Sequence, residues 1–145
     1  VIPVRTYFED VEVGDVERTP AMTLTEAHAA LYRGLTSESA GDPGVIPDLL
    51  PLCLATGLGW RMPRPPLAVL AFMSVEWKIH RPLRVGDTIH SVLRVAVKRS
   101  MREGGVVIQN QDVVDQHGAV AQAGRVIFLV AKRATVEAAR AIGTS

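Results

Sequence analysis

The sequence has a single cysteine, Cys53, in 145 residues. That excludes an internal disulfide and leaves no cysteine-based metal site to expect. Cys53 lies in an apolar run, where the thiol is expected to be buried as a small hydrophobe. Aromatic residues are scarce at 5%, and Trp60 and Trp77 read as core or interface anchors rather than substrate platforms. Charge of one sign is lacking too. A net +1 gives no general pull toward nucleic acid or membranes, and the small cluster Lys98, Arg99 and Arg102 reads as a solvated hairpin end. No apolar run is long enough to span a bilayer without a Pro or Gly break. The opening residues, Val1-Ile2-Pro3-Val4-Arg5, do not form a signal peptide, so a reducing cytoplasm is the expected location. There is no repeat, low-complexity segment or long linker. What remains is a chain 48% apolar and 21% charged, the composition of a globular domain large enough to bury a core.

The patterning changes once along the chain. Thr23-Leu24-Thr25-Glu26 reads as a helix start with Thr23 as cap, and Ala27, Ala30, Leu31 and Leu35 supply its apolar stripe. Residues 37–47 form a loop rich in Gly and Pro. Asp48 is placed to cap a second helix from Leu49 to about Gly57, with Pro51 tolerated in its first turn. That helix is apolar nearly all round, which predicts burial on most sides. From Leu67 onward the period becomes two. Met73, Val75, Trp77 and Ile79 alternate with Ser74, Glu76, Lys78 and His80, and further strands are expected around residues 89–97, 106–114 and 119–131. Gly104-Gly105 and His117-Gly118 mark the turns between them, and residues 135–142 suit a terminal helix. The fold class is α+β: helices to one side of a long antiparallel sheet, with one apolar helix wrapped by it.

Two phrases bracket this plan, Phe8-Glu9-Asp10-Val11-Glu12-Val13-Gly14-Asp15 and Arg81-Pro82-Leu83-Arg84-Val85-Gly86-Asp87-Thr88. Together with Thr23-Leu24-Thr25-Glu26-Ala27, Leu54-Ala55-Thr56-Gly57-Leu58 and Asp112-Val113-Val114-Asp115-Gln116-His117-Gly118, they resemble the MaoC-like hydratases and dehydratases of the hotdog superfamily. The resemblance spans nearly the whole chain and implies one hotdog domain over residues 1–145. It implies an acyl-CoA or acyl-carrier thioester as substrate, no cofactor, and subunits paired as a homodimer or heterodimer so that two sheets join. Members with the activity hydrate a trans-2-enoyl thioester or dehydrate a 3-hydroxyacyl one. An Asp and a His in a loop of the form Gly-Asp-x-Asn-Pro-x-His manage water and proton, and N–H groups at the start of the central helix hold the thioester oxygen.

This chain departs from that form in the loop itself, Ser39-Ala40-Gly41-Asp42-Pro43-Gly44-Val45-Ile46-Pro47-Asp48. Gly41-Asp42 match its start, but the Asn is absent, no histidine follows, and the long excursion before the central helix is missing. Asp42 and Asp48 are the candidate catalytic carboxylates, with a turn residue and a helix cap as their structural roles. The backbone at Asp48 and Leu49 is the candidate oxyanion site. Of the four histidines, His28 suits a cap, His117 an exposed turn, and His80 and His90 are placed to face each other across a hairpin. Gln109, Asn110 and Gln111 read as the solvent edge of a sheet, with a buried polar patch at a subunit interface as the alternative. Two further readings stand beside the hydratase: a non-catalytic hotdog subunit completing a second chain's site, and an acyl-CoA thioesterase using Asp48.

Overall fold

The computed structural model describes residues 4–39 and 41–143. Residues 8–10 form a short 3-10 turn, followed by β1 (Val16–Arg18) and β2 (Met22–Thr23). Two helices come next, α1 (Glu26–Thr36) and α2 (Leu50–Gly59). Four long strands follow, β3 (Val69–Ile79), β4 (Thr88–Ser100), β5 (Gly105–Val114) and β6 (Val120–Val130), and α3 (Arg133–Gly143) closes the described chain. The strands form one antiparallel sheet in the order β1-β4-β5-β6-β3, with β2 also on β4. β5 is therefore central, and β3 is an edge.

The two bracketing phrases fold alike. In residues 12–15 and 84–87 a Val-Gly-Asp turn puts glycine at positive φ, +93° at Gly14 and +99° at Gly86, where a side chain would strain the backbone. In each, the aspartate accepts a backbone N–H three residues back: Glu12 N–H to Asp15 at 2.9 Å and Arg84 N–H to Asp87 at 2.8 Å. The second turn also locks onto the entry to α1, through Leu24 N–H to Asp87 O (2.7 Å) and Gly86 N–H to Leu24 O (2.8 Å). These phrases are thus architectural, fixing where the arm and β4 meet the sheet.

Local expectations shift in several places. The cap of α1 is Thr25, not Thr23; its hydroxyl accepts the His28 N–H, while His28 Nδ1 accepts the Thr25 N–H at 3.1 Å. The buried side of α1 is Ala29, with Tyr32 packed near it, whereas Leu31 and Leu35 are 69% and 86% exposed. α2 starts at Leu50 with Leu49 as cap residue and no side-chain cap bond, so Asp48 is not its cap. Only one face of α2 is covered: Leu50, Ala55 and Leu58 enter the core, while Cys53, Thr56 and Trp60 are exposed. The expectations of an all-round buried helix and a buried thiol are corrected accordingly: the face of α2 that carries Cys53 is exposed.

Two clusters make the core. One gathers Leu24, Ile46, Leu50, Ala55, Leu83, Ile89 and Val113 between the helices and the sheet. The other gathers Phe8, Val11, Val95, Val107 and Val130 at the opposite end. Burial of such side chains, at about 1.5–3 kcal/mol each, is the main drive for the sheet to curl onto the helix.

Candidate functional site

The loop before α2 is a short clasp. Ile46 is buried, its N–H donating to Leu83 O at 2.8 Å, and Val45 bridges to Arg84. Arg33 Nη2 donates to Val45 O at 3.0 Å. Asp42 is part of the same fastening. One of its oxygens accepts the Gly44 N–H at 2.8 Å and the other accepts Arg84 Nη2 at 3.1 Å. The Gly44 N–H and the Arg84 guanidinium hold its carboxyl below the ordinary range. A carboxylate so satisfied is a weak base.

Asp48 stands just before α2. Its carbonyl oxygen accepts Gln122 Nε2 at 2.8 Å, and Gln122 Oε1 accepts Trp77 Nε1 at 2.8 Å. This chain of bonds pins the start of α2 to β6 and β3. Its carboxylate makes no hydrogen bond or ion pair among the described residues. The backbone N–H groups of Asp48 and Leu49 have no partner among the described residues either, as the open end of a helix requires. Two features work against an oxyanion there: Pro51 removes a donor from the first turn, and the Asp48 carboxylate brings negative charge to the same place.

No described cavity is lined by both Asp42 and Asp48. The histidines lie apart from one another. His28 belongs to the α1 cap, and His117 is exposed in the β5–β6 turn. His80 and His90 do not face each other: β3 and β4 are separated by β6 and β5 in the sheet. Among the described residues no group of three or more His, Cys, Asp or Glu side chains is placed to hold a metal ion.

A cavity of about 280 Å³ lies between α2 and the sheet. Leu52, Ala55 and Thr56 form its helix wall, with Trp60, Phe72 and Phe128 among the residues around it. Its floor carries Gln109 and Gln111, each only 6% exposed. The solvent-edge reading of these glutamines is therefore overturned, because β5 is the middle strand and its odd-numbered residues face α2. Gln111 donates weakly to Ser91 Oγ at 3.4 Å, and the Ser91 N–H donates to Thr19 Oγ1 at 2.8 Å. No helix of the described residues is long and apolar enough to cross a membrane.

No protein-family model matches the sequence, and no curated protein matches it. Solved structures do match. A monoamine oxidase regulatory protein from Archaeoglobus fulgidus superposes with a TM-score of 0.79 at 23% identity, over 90% of this chain and 95% of that one. The R-hydratase PhaJ1 of Pseudomonas aeruginosa gives 0.73 at 13% identity, over 89% and 88%. A MaoC-like dehydratase from Rhodospirillum rubrum gives 0.72 at 18% identity, over 88% and 97%. The chain has the hotdog fold of the MaoC-like dehydratases. The resemblance read from the sequence phrases is borne out at that level, with α2 as the central helix and β3–β6 as the sheet around it.

Proposed function

We propose that this chain is an acyl-thioester-binding hotdog subunit of hydratase or dehydratase type, acting on a 2-enoyl or 3-hydroxyacyl thioester together with a second hotdog chain. The observation that carries the reading is the cavity under α2. At about 280 Å³ it sits at the small end of ligand cavities, and its lining is apolar except for glutamine amides, Thr56 and Arg64, with no Asp, Glu or His. Its apolar lining suits an acyl chain. It offers nothing to take a proton from water or give one to the carbon next to the thioester, and hydration needs both transfers. Asp42 is already satisfied by Gly44 and Arg84, so the chain's own loop does not supply the pair.

The edge strand supports a partner. Leu70, Phe72, Met73, Val75 and Ile79 on β3 are all substantially exposed, and an unpaired, apolar edge of this length calls for cover. A second hotdog chain carrying the Asp and His would meet both needs, covering the edge and completing the site.

A second reading has its own observation. The Asp48 carboxylate makes no hydrogen bond or ion pair among the described residues and lies at the start of α2, the position for a water-holding base with the Asp48 and Leu49 N–H groups facing the thioester oxygen. In that case the chain hydrates alone, or cleaves the thioester. The test is to incubate the purified chain with a trans-2-enoyl coenzyme A thioester, alone and with a hotdog chain from the same source bearing the Gly-Asp-x-Asn-Pro-x-His loop. We expect no turnover alone and hydration with the partner. Hydration by the chain alone that is lost in Asp48→Ala but kept in Asp42→Ala establishes the second reading instead, and release of free thiol identifies a thioesterase.

A further inference from the structure

Two cavities share one polar wall. The acyl cavity of about 280 Å³ and a second of about 250 Å³ have Arg64, Leu67, Leu93 and Gln109 in common. The second cavity continues toward the N-terminal arm and is lined there by Asp10, Asp15 and Glu17. Arg64 pairs through Nη2 with Glu17, yet its Nε is buried with no hydrogen-bond partner among the described residues. Gln109 is buried as well, and its side-chain amide makes no hydrogen bond among the described residues. A buried N–H left unpaired is costly and uncommon. Here the buried, unpaired Arg64 Nε–H and the Gln109 amide stand on the same wall, between an otherwise apolar cavity and a second one.

We propose that Arg64 and Gln109 bind a neutral oxygen, a carbonyl or a hydroxyl, carried on the acyl group away from the thioester, at the point where the acyl chain passes from the first cavity into the second. This rests on the acyl-binding reading above. A carbonyl oxygen has two lone pairs and takes the Arg64 Nε–H and a Gln109 amide N–H together; a hydroxyl accepts from Arg64 and donates to Gln109 Oε1. Charge selects the neutral group. Glu17 already balances the Arg64 cation and Arg133 pairs with Asp10, so a carboxylate passing the wall would find no free cation there and would meet Asp15, which has no ion pair among the described residues. An ammonium group has no lone pair to accept the Arg64 Nε–H. The substrate class is thus an oxygenated acyl thioester in which the added oxygen is uncharged.

The test uses the full chain and three S-acyl pantetheine thioesters of equal acyl length: a plain alkyl one, one with a keto group near the far end, and one ending in a carboxylate. The pantetheine arm is common to coenzyme A and to acyl carrier proteins, so the probe does not presuppose the carrier. Calorimetric titration should show the keto ester binding about tenfold tighter than the plain one, the scale of one hydrogen bond to a charged donor. Arg64→Lys keeps a cation opposite Glu17 but lacks the Nε–H, and Gln109→Leu keeps the bulk but lacks the amide; each should erase the preference. A plain ester bound as tightly as the keto ester overturns the inference and leaves the acyl-binding reading intact. Tightest binding of the carboxylate overturns the choice of a neutral group. Failure of all three to bind removes the acyl-binding reading, and this inference falls with it. The comparison among ligands in the unsubstituted protein decides the matter even if a variant does not fold.

Discussion

Asp115 is 4% exposed, and one of its oxygens accepts the N–H groups of His117 and Ala119, each at 2.9 Å, while Arg81 pairs with the other. Burial pushes its pKa up, but the Ala119 and His117 N–H groups and the Arg81 charge outweigh it, and the carboxyl is held below its ordinary value. A depressed folded-state pKa adds stability that is present above the unfolded value, about 3.9, and is lost as pH falls through the lower folded value. Asp115→Asn should therefore lower the melting temperature at pH 7 and flatten its decline below about pH 4, as thermal melts across pH would show. Gly105 makes a second prediction at this scale. A Cβ there would stand 2.1 Å from the Phe8 ring, and Phe8 is a core residue with Lys98 Nζ 4.7 Å from its ring centre. Gly105→Ala forces the ring or the strand to move and should cost about 1–3 kcal/mol in urea unfolding. The glycine was legible as a turn marker, but its contact with a ring almost a hundred residues away was not, since only the folded sheet brings the arm to β5.

The helix that the sheet wraps is held at its start by Gln122, which joins Trp77 to the Asp48 carbonyl. Gln122→Leu leaves two polar partners unpaired at a buried site and should cost about 1–3 kcal/mol, measured as a shift in the denaturation midpoint with unchanged slope. If the start of α2 also orients the thioester, the same variant should weaken acyl binding. The element plan was largely readable, because the change from helical spacing to a period of two at Leu67 is local, and the Gly104-Gly105 and His117-Gly118 turns at the hairpins are local as well. Facing was harder to read. Leu31 and Leu35 look like a core stripe and are exposed, while Gln109 and Gln111 look like a solvent edge and are buried. Period-two patterning says which residues share a face, but the strand order decides which face meets the helix, and that order is set by pairing across the whole chain. Asp48 as a cap missed by one residue, a difference within the ordinary fraying of helix ends.

At the scale of the molecule, the exposed apolar residues of the β3 edge and the exposed face of α2 are what the proposed pairing with a second chain would cover. Met73→Lys places a charge on that edge and should shift the sedimentation of the chain, alone or with its partner, from an assembled species toward a monomer; unchanged sedimentation would mean that β3 is not the joining edge. The site was only half legible for the same reason. The Asp–His loop reads as degraded only through the family resemblance, whereas the proposed acyl cavity is made by residues from α2, the connection after it and four strands, a grouping that no local motif announces. The central proposal is that this chain binds an acyl thioester without reacting it alone. The most direct measurement is an NMR titration of the isolated full chain with crotonyl pantetheine, following the Gln109 and Gln111 side-chain amides and the ligand's vinyl protons in the same spectra. Both amides should shift to saturation while the vinyl signals persist. Vinyl signals replaced by those of a 3-hydroxybutyryl group, or glutamine amides that do not move, would contradict the proposal.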